Sequence, residues 1–165
     1  MIVLVGFMGA GKTTVGRLLA GKLGVPFLDS DEVIEERAGR AIREIFAGDG
    51  EPGFRALEHQ VIADLLAGPP VVLALGGGAA THPGTRDLLT SSASAGVVYL
   101  RVAYDEALAR VGGDTGRPML ARPDIADVYA ARQETYASVP ALAIDTGGRS
   151  PEDITSDILT RLAGD

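Results

Sequence analysis

Five short apolar runs punctuate the chain: "IVLVG" (Ile2–Gly6), "VPFLDSD" (Val25–Asp31), "VVLALG" (Val71–Gly76), "GVVYLRV" (Gly96–Val102) and "LAIDT" (Leu142–Thr146). Several are continuous rather than alternating, the pattern of parallel strands covered on both faces. Between them the apolar positions change to helical spacing. "TTVGRLLAGKL" sets Val15, Leu18, Leu19 and Leu23 on one side, and "EVIEERAGRAIREIF" does the same with Val33, Ile34, Ile42, Ile45 and Phe46. "FRALEHQVIADLLAG" repeats Leu57, Val61 and Leu65 before Gly68 and a Pro69–Pro70 stop, and "SPED" opens the last helix with a Ser cap and a first-turn proline. Strands alternating with helices predict a three-layer α/β/α domain around a parallel sheet. The glycine-rich stretch "VGGDTGRPMLARPD" predicts a long loop.

The length of 165 residues suits one domain, residues 1–165, with a genuine core, and 46% hydrophobic content excludes a disordered or fibrous chain. A formal charge of −7 argues against nucleic acid or an anionic membrane as the main partner, because both need a basic face. It leaves room for a small anionic substrate held by a local group of arginines; Lys12 and Lys22 are the only lysines. With no cysteine, thiolate chemistry and disulfides are excluded. Met1 leads into an apolar run without a basic start, and no segment approaches the ~20 apolar residues of a membrane helix. A cytoplasmic protein, monomeric and off the membrane, is expected.

Chemistry enters with "GFMGAGKT", Gly6 to Thr13, which fits G-x-x-x-x-G-K-[ST] between a strand and a helix. Glycines allow the backbone to approach phosphate oxygens, and the helix start adds N–H donors. Gly9, Ala10, Gly11, Lys12, Thr13 and Thr14 are the expected nucleotide contacts, with Lys12 supplying charge to the phosphates and Thr13 a hydroxyl to Mg²⁺. "FLDSDEVIEE" puts Asp29 and Asp31 at the end of the second strand, where alternation points both acids to the same side. One could serve the metal and the other a substrate hydroxyl; the same letters also read as a helix start capped by Asp29, with Glu32 completing the box. Arg55 and Glu58 in "GEPGFRALE" are helical neighbours, either a solvated pair or an arginine oriented toward a carboxylate. Arg117, among glycines and followed by Pro118, suits a lid that closes over the γ-phosphate. The strand that runs into Gly76, Gly77 and Gly78 ends in bare backbone, which implies a close approach that a Cβ would block. His59 and His82 receive no role.

The segments "GFMGAGKTTVGRLLA", "FLDSDEVIEE", "IREIFAGDGEPGFRALE", "VLALGGGA", "GRPML" and "RQETY", in this order, resemble the shikimate kinase family over most of the chain. The resemblance implies a P-loop kinase fold with a five-stranded parallel sheet in the order 2-3-1-4-5, a flexible lid at about 110–123 and an acceptor-binding helical region at about 31–60. It implies transfer of the γ-phosphoryl group of ATP to the 3-hydroxyl of shikimate. By the same resemblance Asp31 binds the acceptor hydroxyls and acts as base or orienting group. Arg55 and Arg132 hold the carboxylate, Gly77 donates an N–H, and Gly76 and Gly78 complete that wall. Asp29 joins Thr13 at Mg²⁺, Lys12 and Arg117 stabilise the transferring group, and Arg110 and Arg149 flank the adenine. Two features depart from the family pattern: a short stretch between Arg117 and Arg132, and no proline just after Arg132. Two other readings are a P-loop kinase for another small hydroxy acid and a nucleotide-binding regulatory module.

Overall fold

The computed structural model describes residues 1–92, 95–112, 122–139 and 142–164. The element order is β1 (Ile2–Val5), α1 (Lys12–Leu23), β2 (Phe27–Asp29), α2 (Ser30–Ala38), α3 (Ile42–Leu66), β3 (Val72–Ala74), a 3₁₀ turn (Ala79–Thr81), α4 (Pro83–Ser91), β4 (Gly96–Arg101), α5 (Tyr104–Val111), α6 (Ile125–Ala137), β5 (Leu142–Asp145) and α7 (Pro151–Ala163). All strand pairs are parallel and the order is β2-β3-β1-β4-β5, as expected. Leu4 at the centre pairs with Ala74 on one side and Val98 on the other. Residues of both faces of β1 are buried, which is why its apolar run is continuous. The main core spans β1, β3 and β4 with Val15 and Leu19 of α1, Ile62 of α3 and Ile154 and Ile158 of α7.

Three local expectations change. The pattern over residues 32–46 is two helices, not one: Gly39 stands at φ 66°, a left-handed stop, and its N–H bonds the Glu35 carbonyl at 2.9 Å. Helix α3 restarts at Ile42, its first amides taken by two carboxylates, Ala41 N to Glu44 Oε2 at 3.0 Å and Ile42 N to Glu35 Oε1 at 2.9 Å. It continues, with a kink at Gly50, into the helix expected from Phe54 onward. Second, Leu23 does not join Val15 and Leu19 in the core but is exposed, since α1 ends there. Third, the sequence pattern had not marked α4, α5 or α6 as helices. The start of α7 agrees with expectation, the Ser150 hydroxyl accepting from Asp153 N at 3.1 Å.

Helices α2 and α3 make a second, smaller core of Ile34, Ile45, Phe54 and Val61, with Phe46 and Phe54 at 4.5 Å between ring centroids. That cluster sets the direction from which Arg55 and Glu58 reach the sheet. The stretch 113–121, which holds Arg117 and most of the expected lid, lies outside the described residues.

Candidate active site

The loop after β1 lies along the carboxyl end of the sheet. Val15 N, bonded to Gly11 O at 2.9 Å, is the first intrahelical donor of α1. The amides of Lys12, Thr13 and Thr14 therefore project beyond the helix start, where an anion is favoured. Lys12 Nζ donates to the carbonyls of Gly6 and Phe7 at 2.8 and 3.0 Å, folded along the loop it serves. Gly9 sits so close to α5 that a Cβ there would lie 2.6 Å from the Ala107 carbonyl oxygen, and Ala10 is buried. Thr13 and Thr14 open onto a cleft shared with Arg17, Leu18 and Glu152. Arg110 braces the loop from α5: Nη1 donates to Gly9 O at 2.9 Å and Nη2 to Thr146 O at 3.0 Å. Arg149 reaches the same turn, its backbone N on Thr146 O at 3.3 Å and its guanidinium on Asp157 at 3.0 Å.

The two acids of "DSD" do not share a strand. Beyond Asp29 the chain turns helical at Ser30, so strand alternation does not apply. Asp29 caps α2, its Oδ1 accepting from Asp31 N at 2.9 Å, while Asp31 projects from the first turn. Glu32 makes no reciprocal bond to Asp29, so the capping box is half formed. Burial, and then Asp29 beside it, push the Asp31 carboxyl up to about 6, against the pull of Lys12 and Arg55. The fully buried Ser30 hydroxyl between the acids accepts from Gly76 N at 3.0 Å and ties α2 to the tip of β3. Nothing in the sequence pattern marked Ser30.

The Arg55–Glu58 pair is not a solvated ion pair. Glu58 is wholly buried, and Arg55 Nη1 donates to its Oε1 at 2.7 Å. Burial pushes Glu58 up to about 7 despite the facing guanidinium. Arg55 Nε and Glu58 Oε2 are buried without a hydrogen-bond partner, Arg55 Nε lying 3.7 Å from Glu51 Oε1. Arg132 comes in from α6, its guanidinium 5.9 Å from the Phe7 ring centroid, and burial lowers its pKa.

The triple glycine is where these groups meet. None of Gly76, Gly77 or Gly78 has a positive φ, so the requirement is for space and not for conformation. A Cβ on Gly76 would lie 2.6 Å from Asp31 Oδ1 and 3.1 Å from Glu58 Oε2; on Gly77 it would lie 3.1 Å from Arg132 Nη1; on Gly78 it would collide with the Arg55 guanidinium. The bare strand end thus admits the site's own acid and its two arginines.

A family model described as "Shikimate kinase" matches residues 8–163. The chain belongs to the shikimate kinase family. A shikimate kinase of Mycobacterium tuberculosis is 48% identical over 164 residues, 97% of this chain and 92% of the relative. Among solved structures, a shikimate kinase from Acinetobacter baumannii in complex with shikimate superposes with a TM-score of 0.91 at 40% identity, over 99% of this chain and 92% of that one. A shikimate kinase from Aquifex aeolicus gives 0.85 at 34% identity, over 99% and 96%. Membership of the shikimate kinase family makes the chain an ATP-dependent kinase, consistent with a phosphate loop after β1 and two arginines gathered at the tip of the neighbouring strand β3.

A metal fits this site only in one manner. Among the described residues no three His, Asp or Glu side chains converge on a point that could hold an ion. One hydroxyl at the start of α1 and one carboxylate with Oδ1 already committed suit Mg²⁺, which keeps most of its shell from water and nucleotide phosphates. His59 and His82 stack on each other with ring centroids 4.8 Å apart, and His59 Nδ1 shares a hydrogen bond with Thr85 Oγ1 at 3.2 Å.

Proposed function

We propose that the protein transfers the γ-phosphoryl group of ATP to the 3-hydroxyl of shikimate, releasing ADP and shikimate 3-phosphate. The observation that carries this reading is the convergence of Asp31, Arg55 and Arg132 on three consecutive glycines at the end of the strand next to the phosphate loop. One carboxylate and two guanidiniums in a small cavity match an acceptor with hydroxyls at one end and a carboxylate at the other.

In this reading the amides of Gly9 to Thr14 and Lys12 Nζ hold the β- and γ-phosphates, and Lys12 leaves the carbonyls of Gly6 and Phe7 to do so. Thr13 and Asp29 would hold Mg²⁺, Asp29 through its second oxygen, and the ion would supply positive charge that offsets that of the phosphates. Asp31 accepts the hydrogen bond of the reacting hydroxyl and takes its proton as the oxygen–phosphorus bond forms. Arg55, held by Glu58, and Arg132, supported on Phe7, grip the carboxylate with the N–H of Gly77 and so fix the hydroxyl in line. Gly76 and Gly78 complete the wall. Arg110 and Arg149, which meet at Thr146, flank the adenine. Arg117 is assigned to the transferring group on sequence alone. We further propose a single domain over 1–165, a lid at about 110–123, an acceptor region at about 31–60, and a cytoplasmic monomer. Among the described residues no helix is long and apolar enough to cross a membrane.

The test is ADP release with ATP and Mg²⁺, offering shikimate, quinate and gluconate in parallel and identifying the product by mass. Rapid release with shikimate alone is expected. Faster reaction with another acid would reassign the acceptor pocket, and ATP binding without any acceptor would favour a regulatory role.

A further inference from the structure

At the three glycines the carbonyls and the amides have different fates. The Gly76 carbonyl accepts from Ala79 N at 3.0 Å, and the Gly78 carbonyl from Thr81 N at 3.0 Å and Thr81 Oγ1 at 2.5 Å. The Gly77 carbonyl accepts from the Tyr136 hydroxyl at 2.5 Å. Of the amides, only that of Gly76 is used, by Ser30; among the described residues those of Gly77 and Gly78 have no partner. The turn therefore commits its three carbonyls and leaves two amides uncommitted beside the arginines, donors for an anion. Two of the three carbonyls are held by local bonds within the turn. The third, in the middle, is held only by a side chain from a distant helix.

We propose that Tyr136 is a positioning residue for the acceptor's carboxylate: its phenol fixes the Gly77–Gly78 peptide so that the Gly77 carbonyl is turned away from the anion and the N–H of Gly78, next to the Gly77 N–H assigned above, faces the opposite way. This rests on the carboxylate reading given above. The peptide is planar and trans, so securing one end sets the other. Without the phenol the Gly77 carbonyl would lack its partner and could swing toward the cavity, bringing a partial negative charge to a site that binds an anion.

The placement of Tyr136 suits the task. It lies four residues after Arg132, one turn along the same face of α6, so one helix brings both the guanidinium and the phenol to Gly77. Its ring is buried and packs against Tyr99 at 5.2 Å, and the Tyr99 hydroxyl is itself bonded to Gln133 of α6. Burial raises the phenol's pKa, so it stays protonated and a donor throughout the working pH range. Tyr136 carries no charge; its hydroxyl fixes the Gly77 carbonyl and lies beside the Arg132 guanidinium, the second group that it helps to place.

The test uses Tyr136→Phe, which keeps the ring and its packing, with kinetics for ATP and shikimate and calorimetric binding of shikimate and its methyl ester. The expected result is a rise of about tenfold in KM for shikimate with KM for ATP unchanged, and no loss of affinity for the ester. A merely structural tyrosine would lower thermal stability without changing the preference for acid over ester. An unchanged KM for shikimate, or equal losses for acid and ester, would overturn the proposal. Equal affinity of the wild-type protein for acid and ester would overturn the carboxylate reading itself, and the role of Tyr136 with it.

Discussion

Asp31 and Glu58 are neighbouring acids with different tasks, and two substitutions separate them. Asp31→Asn keeps size and hydrogen bonding but removes the proton acceptor; kcat should fall by about 10²-fold or more while ATP affinity stays near normal, as equilibrium binding would show. Unchanged turnover would end the role assigned to Asp31. Glu58 governs stability as well as geometry. Its carboxyl is raised from 4.5 to about 7, so between those values the folded state holds a proton that the unfolded chain has released. Its contribution to stability is therefore greatest at low pH and declines as pH rises from 4.5 to 7, by at most about 3 kcal/mol. Glu58→Gln should remove that slope; melting temperatures of the ligand-free protein against pH check it, the difference between wild type and variant cancelling the other titrations. At Gly78 the issue is space. Gly78→Ala should raise KM for the acceptor several-fold by displacing Arg55, with the KM for ATP unmoved, and steady-state kinetics in both substrates separate the two.

At the scale of elements, the acceptor side depends on a small core of its own. Phe54 sits immediately before Arg55 and anchors the part of α3 beyond the Gly50 kink against Phe46, before the kink, and Ile34 of α2. Phe54→Ala should cost about 3–5 kcal/mol by opening a cavity. Because this core lies apart from the sheet core, acceptor binding should suffer more than nucleotide binding; chemical denaturation and calorimetry with each ligand test this. The kink that brings α3 to the sheet was not legible in the sequence. Gly39 stands within a run of helical spacing, so periodicity alone joined Val33 to Phe46; around Gly50 the stretch "AGDGEPG" offers no apolar pattern from which a kinked, continuing helix could be read. Likewise "DSD" reads as a strand end until the Asp29 carboxylate takes the Asp31 amide and the chain turns helical. Both outcomes were decided by hydrogen bonds, to which a hydrophobic pattern is blind.

At the scale of the molecule, the acceptor pocket is assembled from α2, α3, the tip of β3 and α6, segments that only the folded sheet brings together. A ligand that ties them should stabilise the whole fold. At 100 times its dissociation constant, shikimate should add about 2.7 kcal/mol, seen as a rise in melting temperature. Arg132→Ala should abolish that rise while leaving the stabilisation by ATP intact, since Arg132 belongs to the acceptor side of Phe7.

The sequence by itself determined the parallel strands and the phosphate loop, because both follow from local pattern: buried parallel strands read as continuous apolar runs, and the loop's glycines and lysine are contiguous; the order of the strands in the sheet came only with the family resemblance. It also singled out Asp31, Arg55 and the three glycines as residues of note, and Arg132 through the family resemblance. Only the tertiary structure decided what they are to one another. Whether the Arg55–Glu58 pair is solvated depends on what covers it, and the answer is complete burial of Glu58. Why a strand should end in three glycines depends on which side chains arrive from elements 40 or more residues away in the chain, such as Asp31 and Arg132. Ser30 and Tyr136 stayed out of sight for the same reason: a hydroxyl is unremarkable in sequence, and its worth lies in the one backbone group that the fold places within reach of it.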